Sequence, residues 1–242
     1  MPALCAIVAG AFFVEALTGF GSTVLTVAFG AQLLPLEQLL PAVVPVNLCL
    51  STVMVARHGR HIARRLLLRE VLPLMGVGFP VGFLAFASLG GDDAPLKAAF
   101  GLLVTALSVV ELARRSHTPA PLGRATSAAL LVLAGAVHGA FSSGGPLVVY
   151  VLSRRGLDKG AFRATLSALW LALGLVLLVG YLSQGLVTAG SLTLSAALLP
   201  SLLLGLLLGE RAHARVSATT FRIVVLVLLL AGGALLAIRN MA

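Results

Sequence analysis

The sequence predicts an all-α polytopic membrane protein built from two inverted repeats, each with about three spanning helices plus one broken or re-entrant helical hairpin. Three observations predict this fold. The first is composition: of 242 residues, 59% are hydrophobic and only 10% charged. The mean hydropathy of +1.07 is too high for a soluble domain of this length. The second is a pair of glycine-rich breaks inside apolar segments. The third is a distribution of basic residues that reverses between the two halves.

Eight apolar segments can be marked along the chain, at residues 3–34, 39–56, 71–89, 96–113, 126–153, 164–182, 192–208 and 221–238. Six of them have the length of one membrane-spanning helix, about 17 to 25 residues. The first and the fifth run to roughly thirty residues, which is too long for one crossing and too short for two. Each contains a break, GFGST at 19–23 and SSGGP at 142–146. A break at membrane depth typically lines a cavity, because its backbone polar groups need partners there.

The two halves resemble each other when Gly21 is aligned with Gly144. The third segment of each half supports this alignment, because Pro73, Gly78 and Gly82 recur with the same spacing as Pro200, Gly205 and Gly209. Residues 1–113 are therefore predicted to form the first repeat and residues 126–242 the second repeat of a single transporter domain. We expect the repeated glycines to act in packing, since small residues four apart let helices approach closely.

Charge predicts how the two repeats are oriented. All Lys and Arg residues except Lys97 and Arg239 fall in four connections, 57–69, 114–124, 154–163 and 211–222. In the first half the basic connection follows the second segment, while Glu37, Asp92 and Asp93 lie in the other connections. In the second half the basic connections follow the fifth and seventh segments. The positive-inside rule then makes the halves inverted, which requires an odd number of crossings in each. Three spans and one re-entrant hairpin per half, with both termini outside, satisfy that requirement.

The net charge of +9 is thus a topology signal, and no nucleic-acid partner is predicted. The arginines of the amphipathic stretch 61–69 add attraction to anionic lipid. Cys5 and Cys49 are isolated in apolar segments and predict neither a disulfide nor a metal site. No cofactor and no cleaved signal peptide are expected.

Glu15 and His138 are the ionisable residues inside the apolar segments, away from the segment ends. In the repeat alignment they are equivalent, each six residues before the matched glycine. Such residues are costly in hydrocarbon and face a cavity, a partner or a proton path. Two interpretations stay open: coupling of transport to protons, which suits histidine, and structural hydrogen bonding, including a pair between the two.

The breaks suit an anion, because a half-helix that begins after a glycine-rich turn presents unpaired N–H groups and the positive end of its dipole. The alternative is a closed break stabilised by its own serines.

Arg163 has two possible roles. Its guanidinium could bind a sulfonate or carboxylate, or it could be a positive charge that keeps its connection on the inside of the membrane. Asn47 and Trp170 are equivalent in the alignment and could line the path, although Trp170 also suits simple packing. The candidate substrate-binding residues are Gly19, Phe20, Gly21, Ser22, Thr23, Asn47, Ser142, Ser143, Gly144, Gly145, Pro146, Arg163 and Thr165.

Two other classes of function compete with a transporter. A Ser–His dyad is geometrically possible in an intramembrane serine hydrolase, since His138 and Ser142 share a helix face. No acidic residue in that half would orient the histidine, however, and no catalytic residues are predicted. A non-transporting membrane scaffold is favoured only if the breaks are dry and closed.

The second half of the chain resembles the TauE/SafE sulfite exporter family. The resemblance rests on Ser143-Gly144-Gly145-Pro146, Tyr150 and Phe162-Arg163-Ala164-Thr165-Leu166, and on the first-half motif Leu17-Thr18-Gly19-Phe20-Gly21-Ser22. It implies a multi-pass transporter in a prokaryotic cell (inner) membrane that exports or takes up small sulfur-containing or organic anions such as sulfite, sulfonates or sulfoacetate. The chain departs from the family pattern at Ala28-Phe29-Gly30, at the single Pro146 and at Ser142-Ser143. We expect these differences to line the pocket and to affect the substrate more than the fold.

Overall fold

The structure, a computed structural model, describes residues 1–88, 93–113, 122–213 and 218–241, and every regular element in these ranges is helical. The elements are α1 (Pro2–Thr18), α2 (Ser22–Leu25) with a π-helical turn (Thr26–Gly30), α3 (Leu36–His58) with a 3-10 turn (Gly59–His61), α4 (Arg64–Leu66) with a π-helical turn (Leu67–Val71), α5 (Leu72–Ala87), α6 (Ala94–Ala113), α7 (Arg124–Phe141), α8 (Gly145–Leu152), α9 (Lys159–Ser183), α10 (Ala189–His213) and α11 (Ala218–Met241). Each of the eight apolar segments contains helix. Asp92 and the parts of the basic connections at 114–121 and 214–217 lie outside the described residues.

The all-helical, polytopic class is confirmed. Six helical stretches among the described residues are long and apolar enough to cross a membrane: Leu36–His61, Arg64–Ala87, Ala94–Ala113, Arg124–Phe141, Lys159–Ser183 and Ala189–Ala212. Their outward faces carry large apolar side chains, such as Val81 and Val179, which a lipid bilayer would cover. By length alone α7 could cross the membrane, so the re-entrant hairpin of the second half stays a prediction.

The glycines that recur between the halves make matching contacts. A Cβ added to Gly205 of α10 would lie 2.6 Å from the carbonyl oxygen of Ala9 in α1. A Cβ added to Gly209 would lie 2.7 Å from the carbonyl oxygen of Phe13. In the other half, Gly78 and Gly82 of α5 press on the carbonyl oxygens of two α7 residues, Val132 and Ala136. Val132 and Ala136 are the residues that the alignment matches to Ala9 and Phe13. The predicted packing role of these glycines is confirmed, and each broken helix packs against the third helix of the opposite half.

The register of contacts fixes the relative directions of the helices. Residues 205 and 209 meet residues 9 and 13, so α1 and α10 run the same way. Ser195 Oγ donates to the Ala42 carbonyl at 2.7 Å, and Arg57 pairs with Glu210 at 3.0 Å, so α10 also runs parallel to α3. Since α1 and α3 therefore share a direction, the chain must reverse between them. These directions are those that an inverted repeat with a first re-entrant hairpin requires, although the inverted repeat itself stays a prediction.

The basic connections meet at one end of the helices. Arg155 pairs with Glu70, and the Ala63 N–H donates to Thr165 Oγ at 2.9 Å. Together with the Arg57–Glu210 pair, these contacts join the connections that follow α3, α8 and α10. At the opposite end the Leu36 N–H donates to Asp93 Oδ2 at 2.8 Å. We call the first end the basic face.

Substitution at Gly82 tests the close contact between α5 and α7. We expect Gly82→Ala to lower the free energy of unfolding by about 1 to 3 kcal/mol, because the new methyl group falls on the Ala136 carbonyl oxygen. This cost outweighs the gain of roughly 1 kcal/mol in helix propensity. Gly76→Ala in the same helix is the control, since no atom lies within 4 Å of its added Cβ. Unfolding in mixed micelles measures both variants, and equal stabilities for the two would contradict the packing described.

Candidate functional site

The first break begins where α1 ends. Gly19 and Gly21 have φ values of 88° and 112°, in the left-handed region that favours glycine. The Gly19 N–H donates to the Glu15 carbonyl at 2.7 Å and closes the last turn of α1. The chain then enters α2 at Ser22. The glycines of the GFGST motif are therefore required by the backbone of the turn.

The side chain of Glu15 occupies the start of α2. Its carboxylate accepts hydrogen bonds from the Ser22 N–H at 3.0 Å, from Ser22 Oγ, and from Asn47 Nδ2 at 3.1 Å. Asn47 also donates to Ser22 Oγ at 2.9 Å and accepts from Ser51 Oγ at 3.4 Å. The start of α2 is thus already occupied by the carboxyl group of Glu15.

The second break begins as the first does, with a left-handed residue that closes the preceding helix. Ser142 stands where the alignment places Gly19, and it too is left-handed, with φ of 54°. Its N–H donates to the His138 carbonyl at 2.7 Å, as Gly19 does to Glu15. After Gly144, α8 begins with Gly145, and Pro146 lies in its first turn, where a missing N–H removes no helical bond.

His138 leaves a polar atom free at the second break. The Gly144 N–H donates to His138 Nδ1 at 3.3 Å, so in the neutral ring the proton sits on Nε2. Nε2 is buried and has no hydrogen-bond partner among the described residues, and the same is true of Ser143 Oγ. A buried donor without a partner is costly, so it calls for a ligand or another explanation.

Trp170 joins the two breaks. Its indole ring stacks on His138, with ring centroids 5.5 Å apart and an interplanar angle of 12°. Its Nε1–H donates to the Gly19 carbonyl at 2.9 Å. Asn47, the equivalent residue of the first half, holds Glu15. Both matched residues therefore lie at the site, and Trp170 does more than fill space.

A small cavity of about 10 Å³ lies between the breaks. It is lined by Glu15, Gly21, Thr23, Val24, Asn47, His138, Ser142, Gly145 and Trp170. This volume matches a single water molecule, so the helices must separate before a polyatomic anion can enter. The structure brings together residues that the sequence places in four different apolar segments.

Three further candidate residues, Phe20, Arg163 and Thr165, are not among the described residues that line this cavity. The Phe20 ring is close to Gly145, with 3.5 Å to an added Cβ there. Arg163 lies beside Gly19, and its Nη2 is 3.7 Å from Glu210 Oε1 and 3.2 Å from Met54 Sδ. Thr165 accepts the Ala63 N–H and holds the connection after α3 rather than lining the cavity.

Three further expectations need correction or refinement. Ala28 and Phe29 pack against Gly232 of α11, so this departure from the family pattern does not line the cavity, contrary to expectation. Glu15 and His138 both line the cavity, but no ion pair joins them among the described contacts. Neither Ser142 nor Ser143 hydrogen-bonds the His138 ring within the described part of the chain, so the dyad of a serine hydrolase is not formed there.

Sequence reasoning missed two features of the site. The first is that Glu15 itself fills the positive end of α2; the signal was a carboxylate one helical turn before the break, followed by serine just after it. The second is Glu210, which bridges Arg57 and Arg163 at the basic face. Its role was not predicted, because in the sequence Glu210 is simply one acidic residue next to the arginines of a charged connection.

Comparison with known proteins gave one family. A family model described as "Sulfite exporter TauE/SafE" matches residues 3–236 of the 242-residue chain. No curated protein and no solved structure matched significantly.

Proposed function

The chain belongs to the sulfite exporter TauE/SafE family, a family of membrane transporters, and on that premise we propose that it exports a small sulfur-containing or organic anion such as sulfite, a sulfonate or sulfoacetate across the inner cell membrane. Membership places the protein among multi-pass transporters. The substrate is argued from the residues of the site, because a family does not fix the transported molecule.

The second break is the proposed anion site. The observation that carries this proposal is the buried His138 Nε2, which lines the cavity and has no partner among the described residues. Ser143 Oγ is a second unpartnered buried group in the same turn, and the first N–H groups of α8 follow directly. These groups suit an oxyanion, which accepts several hydrogen bonds at once. The first break cannot contribute equally, since Glu15 already occupies it.

Access to the site would alternate between the two faces. The glycine contacts hold α1 to α10 and α5 to α7 at backbone distance, so each pair can move as a unit. Inverted repeats rocking about α3 and α9 would expose the cavity first on one face and then on the other. His138 or Glu15 would link this motion to protons, since both are ionisable groups that line the cavity.

Flux measurements in proteoliposomes test the proposal. Sulfite, thiosulfate, sulfoacetate, taurine and simple carboxylates are offered in turn, with and without a pH gradient. We expect counterflow of at least one anionic member and weaker transport of taurine, which has no net charge and whose ammonium group can only donate hydrogen bonds, so that it offers no acceptor to His138 Nε2–H. Folded protein that moves none of these anions would contradict the proposed function.

A further inference from the structure

We infer that Glu210 and Phe83 are gating residues that close the cavity toward opposite faces, by an ion pair on the basic face and by aromatic rings on the other. The two residues are equivalent in the repeats, because Glu210 follows Gly209 and Phe83 follows Gly82. The inference rests on the proposed alternating access, and it assigns the step to particular side chains.

An ion-pair chain leads from the first break to the basic face. The Arg163 backbone lies against Gly19, where an added Cβ would be 3.0 Å from Arg163 Cα. Glu210 accepts from Arg57 at 3.0 Å and is 3.7 Å from Arg163. Side-chain exposure rises along this chain, from 11% for Arg163 to 28% for Glu210 and 58% for Arg57. Breaking the pairs of Glu210 would therefore clear a polar path to the turn at Gly19.

Aromatic rings lead from the second break in the other direction. The Phe79 ring centroid is 6.4 Å from that of His138 and 6.1 Å from that of Phe83. Phe83 is in turn 6.0 Å from Tyr181, and its ring covers Gly180, with 2.7 Å to an added Cβ. These residues lie on α5 and on the end of α9 that is remote from Arg163.

The two closures are equivalent contacts made with different chemistry. The alignment that matches Asn47 with Trp170 also matches Arg57 with Gly180. The Arg57–Glu210 contact and the Gly180–Phe83 contact are therefore equivalent, and each joins one half to the other. Each is made through a long side chain, Glu210 or Phe83, in contrast to the backbone contacts of the neighbouring glycines, so these are the contacts that can break when a helix pair moves. Salt screens an exposed ion pair but not packed rings, which makes only the basic-face gate sensitive to ionic strength.

Sided labelling of a cavity residue tests the inference. Thr23→Cys lines the cavity and is introduced into a Cys5→Ala, Cys49→Ala background, and a membrane-impermeant thiol reagent is applied to right-side-out and inverted vesicles. Glu210→Gln should raise the labelling rate by about two- to fivefold from the basic face only, the shift that loss of an exposed ion pair gives. Phe83→Ala should raise it by about tenfold or more from the opposite face only. Phe83→Leu replaces it if the alanine variant does not fold.

The control is Glu70→Gln, which removes another ion pair of the basic face, that with Arg155, and should leave the labelling rate unchanged. Equal effects of Glu210→Gln from both faces, or none from either, would overturn the inference. Sided labelling without flux of any anion would support the gates while refuting the transport proposal. Anion flux together with labelling rates that change equally from both faces would refute the gates but not the transport proposal.

Discussion

Replacing His138 by asparagine should abolish most anion transport while leaving the protein folded. The asparagine oxygen can take the place of Nδ1 and accept the Gly144 N–H, which is 3.3 Å from Nδ1 in the native site. The variant has nothing in the place of Nε2, the donor that is buried and unpartnered among the described residues. Losing one hydrogen bond to a charged ligand should weaken anion binding by about ten- to a hundredfold. Counterflow and equilibrium binding of the same anion measure the effect.

Two further variants make this result specific. His61→Asn changes an exposed histidine of the basic face and should transport normally. His138→Gln restores a polar group near Nε2 but loses the acceptor for Gly144, so it should fold less stably than His138→Asn. A His138→Asn variant that binds and transports like the native protein would remove His138 from the anion site.

The largest effect on stability is expected from Glu15→Ala. The substitution leaves the Ser22 N–H, Ser22 Oγ and Asn47 Nδ2 without their shared acceptor in a buried position. We expect the free energy of unfolding to fall by about 3 to 5 kcal/mol, because each buried donor left unpaired costs about 1 to 3 kcal/mol and some relax. Glu15→Gln keeps one oxygen acceptor and should lose less.

The matched control is Glu70→Ala, which removes a half-exposed carboxylate paired with Arg155 and should cost at most about 1 kcal/mol. Unfolding in mixed micelles measures both carboxylate variants. Similar losses for Glu15→Ala and Glu70→Ala would show that Glu15 does not hold the first break together.

Much of the fold could be predicted because it depends on local chemistry. Apolar runs set the helices, and the positive φ at Gly19 and Gly21 explains why glycine interrupts the first run. The repeat alignment also matched Asn47 with Trp170 as candidates to line the path, and both make contacts at the breaks. Ser142 shows the limit of this reasoning, since it adopts the left-handed conformation of Gly19 without being glycine.

The partners of individual side chains could not be predicted in the same way. A sequence that suggests two equal anion sites does not reveal that Glu15 fills one of them, because that depends on how far the carboxylate reaches across the turn to Ser22. The bond from Trp170 to the Gly19 carbonyl joins residues far apart in the chain, and the position of Glu210 between two arginines depends on how α3, α9 and α10 meet. Such contacts follow from packing over long sequence separations.

The central claim is that the transported anion accepts a hydrogen bond from His138 Nε2–H. Solid-state NMR of protein labelled with ¹⁵N-histidine in lipid bilayers tests it, with the His138 signals assigned by comparison with His138→Asn. Before the anion is added, we expect an unprotonated Nδ1 and a protonated Nε2, as the bond from the Gly144 N–H requires. Saturating transported anion should shift the Nε2 resonance while the other histidines stay unchanged. An Nε2 resonance that does not move when the anion is bound would contradict the account.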